Sequence, residues 1–267
     1  MNADKKAKRK EHRAWLRERI AHYRAEAARY EKAAARRPGT YLPRLAETQH
    51  TLGQFYWWRH TPASYRMALR LFTQALRNYD RYGGRRDLTL GRLTLLDDLK
   101  QLSARLDDDS AEEVLLGLLP TYEAMARRAP LTYGEEVAAT LWQLGNLYTE
   151  THRYDEAERM YLRSLAESAE FDGEDPHRYR PATAQCRRSL GRLYEAMHDD
   201  ARAETAYRAS EALLRELCED TLERCNHLRS LARTLTLLAD LYERRGAAAE
   251  AARCRAEAEA LEAERNA

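Results

Sequence analysis

One pattern recurs along the sequence and limits the folds that the chain can adopt. Each copy contains a Pro-x-x-Tyr segment, a small residue, and a Leu-Gly pair with Tyr three residues beyond the glycine. Three copies align without gaps, beginning at Pro38, Pro130 and Pro176, so the last two are 46 residues apart and the first two twice that distance. Leu238-Ala239 and Tyr242 form a further copy at an offset of 48 residues. Such self-similarity predicts an array of stacked repeats, with a degenerate repeat over about residues 87–129.

Each repeat is predicted to contain two helices. In the repeat that begins at Pro130, Leu144 and Tyr148 lie on one apolar helical stripe, and a polar break follows at residues 151–155. Ala157 and Tyr161 then lie on the stripe of a second helix. The repeat is therefore a pair of helices joined by a short turn.

The glycine inside each first helix needs an explanation, since it costs about 1 kcal/mol relative to alanine. It occurs at Gly53, Gly145 and Gly191. We expect the second helix to approach closely there and to present its small alanine to the glycine. The composition agrees with an all-α fold, because Ala, Leu, Arg and Glu dominate and only 11 Gly and 7 Pro occur among 267 residues.

The Leu-Gly-x-x-Tyr pattern, followed by an alanine and then an aromatic residue, resembles the tetratricopeptide repeat. The usual repeat of that family has about 34 residues, whereas this one has 46 and resembles the long repeats of some bacterial proteins. The resemblance extends over about residues 11–264 and is specific in four copies. It implies a right-handed α-solenoid of stacked antiparallel helix pairs.

The domain organisation follows from charge and register. Residues 1–37 hold 13 Lys or Arg and 5 Asp or Glu, a balance of +8, within a chain of net charge +2. We expect a disordered basic tail at residues 1–10 and a capping helix at residues 11–37. About five repeats at residues 38–267 would form one domain with that helix.

Several functional classes lack support in the sequence. No metalloprotease motif, phosphate-binding glycine loop or nucleophile elbow is present, so we expect no enzyme and no cofactor. The cysteines Cys186, Cys218, Cys225 and Cys254 lack the close paired spacing of a zinc site, so we expect reduced thiols and no metal. No apolar run is long enough to span a membrane, and no secretory signal begins the chain, so we expect a cytoplasmic protein.

The resemblance also implies a binding surface. In tetratricopeptide proteins, one face of each first helix lines a concave groove, and the spacing of four then three residues defines that face here. The positions that correspond to it are His50, Gln54, Trp57, Trp142, Asn146, Thr149, Arg188, Arg192, Glu195, Thr236, Asp240 and Glu243.

Three of these residues resemble the carboxylate clamp of co-chaperone tetratricopeptide domains. Asn146, Arg188 and Arg192 would hold an acidic peptide or a free C-terminal carboxylate, with the arginines binding as bidentate forks. His50 and Gln54 would stand where the second half of the clamp belongs. In the alternative interpretation, the arginines are solvated or paired with Glu195.

The leading hypothesis is an adaptor that binds a peptide or a helix of a partner protein in this groove. Trp57 and Trp58 would contribute to it or pack between repeats. A peptide-sensing regulatory protein is one alternative. Another is a nucleic-acid-associated protein that uses the basic N-terminal segment, although the sequence shows no combined aromatic and basic platform there. The oligomeric state stays open.

Overall fold

The chain folds as helices connected by short turns. A computed structural model describes residues 2–83, 89–170, 176–219 and 224–266, and within these ranges it contains eleven helices and no strand. The helices are α1 Asn2–Arg36, α2 Pro38–Trp57, α3 Pro62–Gly83, α4 Leu90–Ser103, α5 Asp108–Ala126, α6 Pro130–Glu150, α7 Tyr154–Ala169, α8 Pro176–Ala196, α9 Asp200–Glu219, α10 Arg224–Arg244 and α11 Ala248–Asn266. The all-α prediction is confirmed, and the repeats are antiparallel helix pairs such as α6 with α7 and α8 with α9.

Two compact units divide the chain, at Met1–Ala124 and Met125–Ala267. In the N-terminal unit, α2 packs against α1 and α3, and α3 packs against α4. In the C-terminal unit, each of the helices α6 to α11 packs against the next, and α8 also contacts α6 and α10. The single continuous domain expected from the sequence stays a prediction.

The N-terminal helix is longer than expected. Helix α1 begins at Asn2, so residues 2–10 are helical where the charge run predicted a disordered tail. The Ala, Lys and Arg residues of this segment are strong helix formers, which explains why the helix continues through it. The side chains of Lys5, Lys6, Lys8 and Lys10 are exposed, as expected for a solvated basic segment.

The glycine of each repeat contacts an aromatic ring, which corrects the expected contact with alanine. A Cβ atom at Gly145 would lie 2.6 Å from two ring carbons of Tyr161, and Gly53 and Gly191 face Phe72 and Tyr207 in the same way. These rings are at most 1% exposed. The glycine therefore lets an aromatic side chain of the second helix cross directly over the first helix.

In the last repeat, both the glycine and the aromatic residue are replaced. Ala239 stands in place of the glycine, and Arg255 stands in place of the aromatic residue. Arg255 forms ion pairs with Asp240 and Glu243 instead of entering the core. Because no ring crosses the first helix there, the position tolerates a Cβ atom.

A buried arginine marks the degenerate repeat. Arg92 of α4 stands where the other repeats have the small residues Ala46, Ala138 and Ala184, 46 residues apart. Its side chain is 0% exposed and pairs with Asp80 at 2.9 Å. An arginine needs more room and a charged partner, so α4 cannot pack against its neighbour as the regular first helices do.

The turn between the two helices of a repeat places one residue in the left-handed region. His60, His152 and His198 have φ near 50–61°, and Gly246 holds the equivalent place with φ 75°. In the turns at His152, His198 and Gly246, the backbone amide of the next residue donates to the carbonyl of the tyrosine that recurs in each repeat, at 2.8 Å. This is the bond that closes a helix whose C-terminal residue is left-handed.

Carboxylates tie consecutive repeats together in the C-terminal unit. Glu158 of α7 accepts hydrogen bonds from the Tyr194 hydroxyl at 2.8 Å and from Arg202 at 3.0 Å. Glu204 of α9 likewise accepts hydrogen bonds from the Tyr242 hydroxyl and from Arg245. Each second helix thus holds the first helix of the next repeat.

Candidate functional site

Helices α6, α8 and α10 present neighbouring faces in the C-terminal unit. The indole nitrogen of Trp142 donates to the Ser189 hydroxyl at 3.0 Å, which fixes α6 against α8. Arg188 reaches the Ser230 carbonyl of α10 at a longer 3.4 Å. Predicted groove residues from two repeats are thereby brought to one surface, which we call the arginine face and define by Trp142, Asn146, Arg188, Arg192 and Arg233.

The Tyr161 hydroxyl orients Asn146 on this face. That hydroxyl donates to Asn146 Oδ1 at 2.7 Å and lies 3.2 Å from the Thr149 hydroxyl. Among the described residues, the amide nitrogen of Asn146 has no hydrogen-bond partner. A fixed amide with a free N–H pair is a donor suited to a carboxylate oxygen.

Three arginines lie near one another, and among the described residues none of them has an acidic partner. Arg188 is within electrostatic range of Arg233 and Arg192, and Arg192 is within range of the Tyr161 phenol. Burial, followed by the charges of Arg233 and Arg192, lowers the pKa of Arg188. None of the three forms an ion pair within the part of the chain that the structure describes. A half-buried cation beside two like charges is unfavourable until an anion joins it.

The acidic residues predicted for the groove already have partners. Glu195 accepts the Tyr207 hydroxyl at 2.5 Å and pairs with Arg244. Asp240 pairs with Arg255 at 3.0 Å, and Glu243 pairs with the same arginine. Thr236 donates to a carbonyl of its own helix. These side chains leave the arginines of the face unneutralised.

The predicted residues of the first repeat form a separate cluster in the N-terminal unit. His50 Nε2 lies 2.7 Å from Asp98 Oδ2, and Gln54 donates to the same oxygen at 2.8 Å. Trp57 packs edge-on against Phe72 with ring centroids 6.3 Å apart. Asp98 takes up both donors and adds a negative charge beside them, and the place of His50 and Gln54 in a groove stays a prediction.

Two buried groups of the C-terminal unit have raised pKa values. Burial raises the pKa of Tyr161 to about 12 and that of Cys186 to about 12, so both stay protonated at neutral pH. Within the described ranges, no group of three His, Cys, Asp or Glu side chains could hold a metal ion. Cys186, Cys218 and Cys254 form no disulfide with a described residue, and the side chain of Cys225 lies outside the described part.

Comparison with known proteins identifies the repeats. The family described as "Tetratricopeptide repeat" matches residues 136–216, which span most of α6 to α9. The region from α6 to α9 carries tetratricopeptide repeats. No curated protein matches the sequence.

Solved structures share the tetratricopeptide fold of this chain. BtubC (BKLC) from P. vanneervenii is similar at 21% identity with a TM-score of 0.62, covering 94% of this chain and 92% of the other. A putative kinesin light chain of Podosopora anserina with nearly identical TPR-like repeats is similar at 18% identity with a TM-score of 0.52. That comparison covers 84% of this chain and 97% of the other. At these identities the likeness shows the fold alone.

Tetratricopeptide repeats suggest a scaffold for protein–protein interaction, and their fold is typically non-catalytic. Among the described residues, none of the helices is both long and apolar enough to cross a membrane. The fold thus favours the interaction class over the enzymatic one.

Sequence reasoning found part of the arginine face and missed part of it. Trp142, Asn146, Arg188 and Arg192 lie on the helices α6 and α8, and their role in binding stays a prediction. Glu195 and Asp240 are bonded to other side chains. Arg233 was missed because the repeat alignment selected Thr236 on the same helix. Its place one turn before Thr236 is the signal that could have found it.

Proposed function

We propose that this chain is a protein-interaction module whose arginine face binds an acidic segment, or a free C-terminal carboxylate, of a partner protein. The observation that carries the proposal is the group Arg188, Arg192 and Arg233, which holds no acidic partner among the described residues. Arg192 also lies near the Tyr161 phenol, whose hydroxyl is bonded to Asn146.

The chemistry of these side chains favours a carboxylate. Guanidinium groups bind carboxylates through two parallel hydrogen bonds, and such charge-assisted bonds are about twice as strong as neutral ones. An incoming carboxylate would also relieve the repulsion between Arg188 and its two cationic neighbours. Trp142 adds an aromatic surface of the kind that is enriched where proteins bind one another.

A selection from a peptide library tests this function. Random peptides with free C-termini are displayed to the wild-type chain and to a variant carrying Arg188→Ala and Arg192→Ala. We expect peptides enriched in Asp and Glu, or with a short acidic C-terminus, to be retained by the wild type and lost by the variant. A circular dichroism spectrum checks that both proteins keep the same helicity.

A matched control variant separates the site from general charge. Arg159→Ala with Arg253→Ala removes two exposed arginines from α7 and α11, and we expect it to select the same peptides as the wild type. Selection without acidic bias, or an equal loss in both variants, would contradict the proposed site.

A cytoplasmic location is part of the same proposal. Three of the four cysteines form no disulfide among the described residues, as is usual for proteins of a reducing compartment. Fractionation of cells that express the chain from its own promoter checks it, with recovery among secreted proteins as the contrary result.

A further inference from the structure

A basic cleft lies in the N-terminal unit, between the first turns of α1 and the connection from α2 to α3. Its volume is about 1030 Å³. The lining residues share a cationic, apolar or aromatic character and are Lys6, Lys10, His12, Arg13, Leu16, Arg17, Ile20, Trp58, Arg59 and Thr61. Among the described residues, the lining contains no acidic side chain. We call this the basic cleft.

The different lengths of two helices create this cleft. Helix α1 has 35 residues, whereas α2, which packs against it after a one-residue connection, has 20. At 1.5 Å per residue, α1 is longer by about 22 Å. Its first turns therefore extend past the end of α2 at Trp57. Leu16 and Ile20 are 5% and 7% exposed at the closed end, while Lys6 and Lys10 are exposed at the open end.

The cations of α1 form one continuous row along the cleft. Lys6, Lys10, Arg13 and Arg17 are spaced by four, three and four residues, so they lie on a single helical face with steps of about 4.5–6 Å along the axis. Arg59 adds a fifth charge from the opposite wall. None of the five forms an ion pair within the described ranges. The row is thus open to a polyanion.

Aromatic rings stand next to these charges. Trp58 is 47% exposed, and its ring is held edge-on against Phe55 with centroids 5.3 Å apart. Trp15 is 40% exposed and stacks with His12, which lines the cleft, at 5.8 Å. A rigid, half-exposed indole offers a π-face on which an unpaired base can stack.

We propose that the basic cleft binds single-stranded nucleic acid, with phosphates along the row of cations and a base stacked on Trp58. A groove of cations combined with stacking aromatic side chains is how proteins bind single strands without sequence preference. An acidic protein segment would engage the cations but leave the indole face without a matching group. A duplex keeps its bases stacked and offers Trp58 no exposed face. The cleft is independent of the arginine face, which lies in the other unit.

The test is fluorescence anisotropy of a labelled oligothymidylate of about 12 nucleotides with the full chain. If four phosphates are contacted, raising the salt from roughly 50 to 200 mM should weaken binding about fiftyfold. Arg13→Glu with Arg17→Glu should weaken binding at low salt by at least about tenfold, and Trp58→Ala by about tenfold. Arg188→Ala with Arg192→Ala should leave it unchanged, which separates this proposal from the proposed function.

A control with the same change of charge is available on α3. Arg70 and Arg77 are exposed residues of the N-terminal unit outside the cleft, and Arg70→Glu with Arg77→Glu should retain most of the affinity. The proposal is overturned by absence of binding at low salt, or by an equal loss in this control. It is also overturned if an oligoglutamate peptide binds as well as the oligonucleotide, which would assign the cleft to an acidic protein.

Discussion

At the scale of single residues, the repeats depend on a pairing between glycine and an aromatic ring. The ring of Tyr161 crosses α6 over Gly145, and its hydroxyl then reaches Asn146 on the other side. The same ring thus fills the core and orients a side chain of the arginine face. A substitution at the glycine is expected to disturb both packing and binding.

Gly145→Ala should destabilise the chain although alanine favours helices. The propensity gain of about 1 kcal/mol is outweighed by the overlap with the Tyr161 ring, because overpacking a buried site costs about 1–3 kcal/mol. Gly117→Ala is the control, since a Cβ atom there meets nothing within 4 Å, and it should raise stability by up to about 1 kcal/mol. Thermal unfolding followed by circular dichroism measures both. Equal stabilisation by the two substitutions would contradict this packing.

The glycine could be predicted from the sequence, but its partner could not. The cost of a helical glycine indicates a close approach, whereas the choice between alanine and the aromatic residue four positions later depends on how the helices cross. The left-handed turn residues His60, His152, His198 and Gly246 are in register along the sequence. Only the glycine among them signals that conformation by its residue type.

At the scale of helices, ion pairs within and between repeats stabilise the C-terminal unit. Glu211 of α9 is 6% exposed and pairs with Arg208 and Arg215, each at 2.7 Å. Burial alone would raise the pKa of this carboxyl, but the hydrogen bonds from Arg208 and Arg215 lower it below its ordinary value of 4.5. Glu204, bonded to Tyr242 and Arg245, also has a lowered pKa.

The stability of the C-terminal unit should therefore fall in acid. A carboxylate whose pKa is lowered by folding stabilises fully above its unfolded pKa and loses that contribution as the pH falls through its folded pKa. Denaturation at pH 7 and pH 3 should show that the free energy of unfolding falls less in Glu211→Gln than in the wild type. At pH 7 the variant should be less stable by about 1–3 kcal/mol. If the free energy of unfolding fell equally in both proteins, Glu211 would not be a cause of the acid sensitivity.

The starts and ends of several helices could be predicted from the sequence. Pro38, Pro130 and Pro176 each begin a helix, and the polar break at residues 151–155 falls where α6 ends and α7 begins. Proline suits the first turn of a helix because the amide it lacks would have no partner there. The helicity of residues 2–10 was missed, because the charge run was weighed above the helix propensity of its residues.

At the scale of the whole molecule, the two compact units differ in charge. The N-terminal unit holds 24 Lys or Arg and 16 Asp or Glu, and the C-terminal unit holds 21 and 27, which gives balances of +8 and −6. The arginine face is thus a local positive site within an acidic unit, whereas the basic cleft belongs to a basic one.

The most direct measurement is calorimetric titration of the chain with one acidic hexapeptide, in its free-carboxylate and amidated forms. We predict that the free form binds, and that Arg188→Ala with Arg192→Ala weakens it by about ten- to a hundredfold as two charge-assisted hydrogen bonds are lost. Arg159→Ala with Arg253→Ala should bind as the wild type does. Absence of binding by the wild type, or an affinity that the Arg188 and Arg192 substitutions leave unchanged, would contradict the assignment of the arginine face.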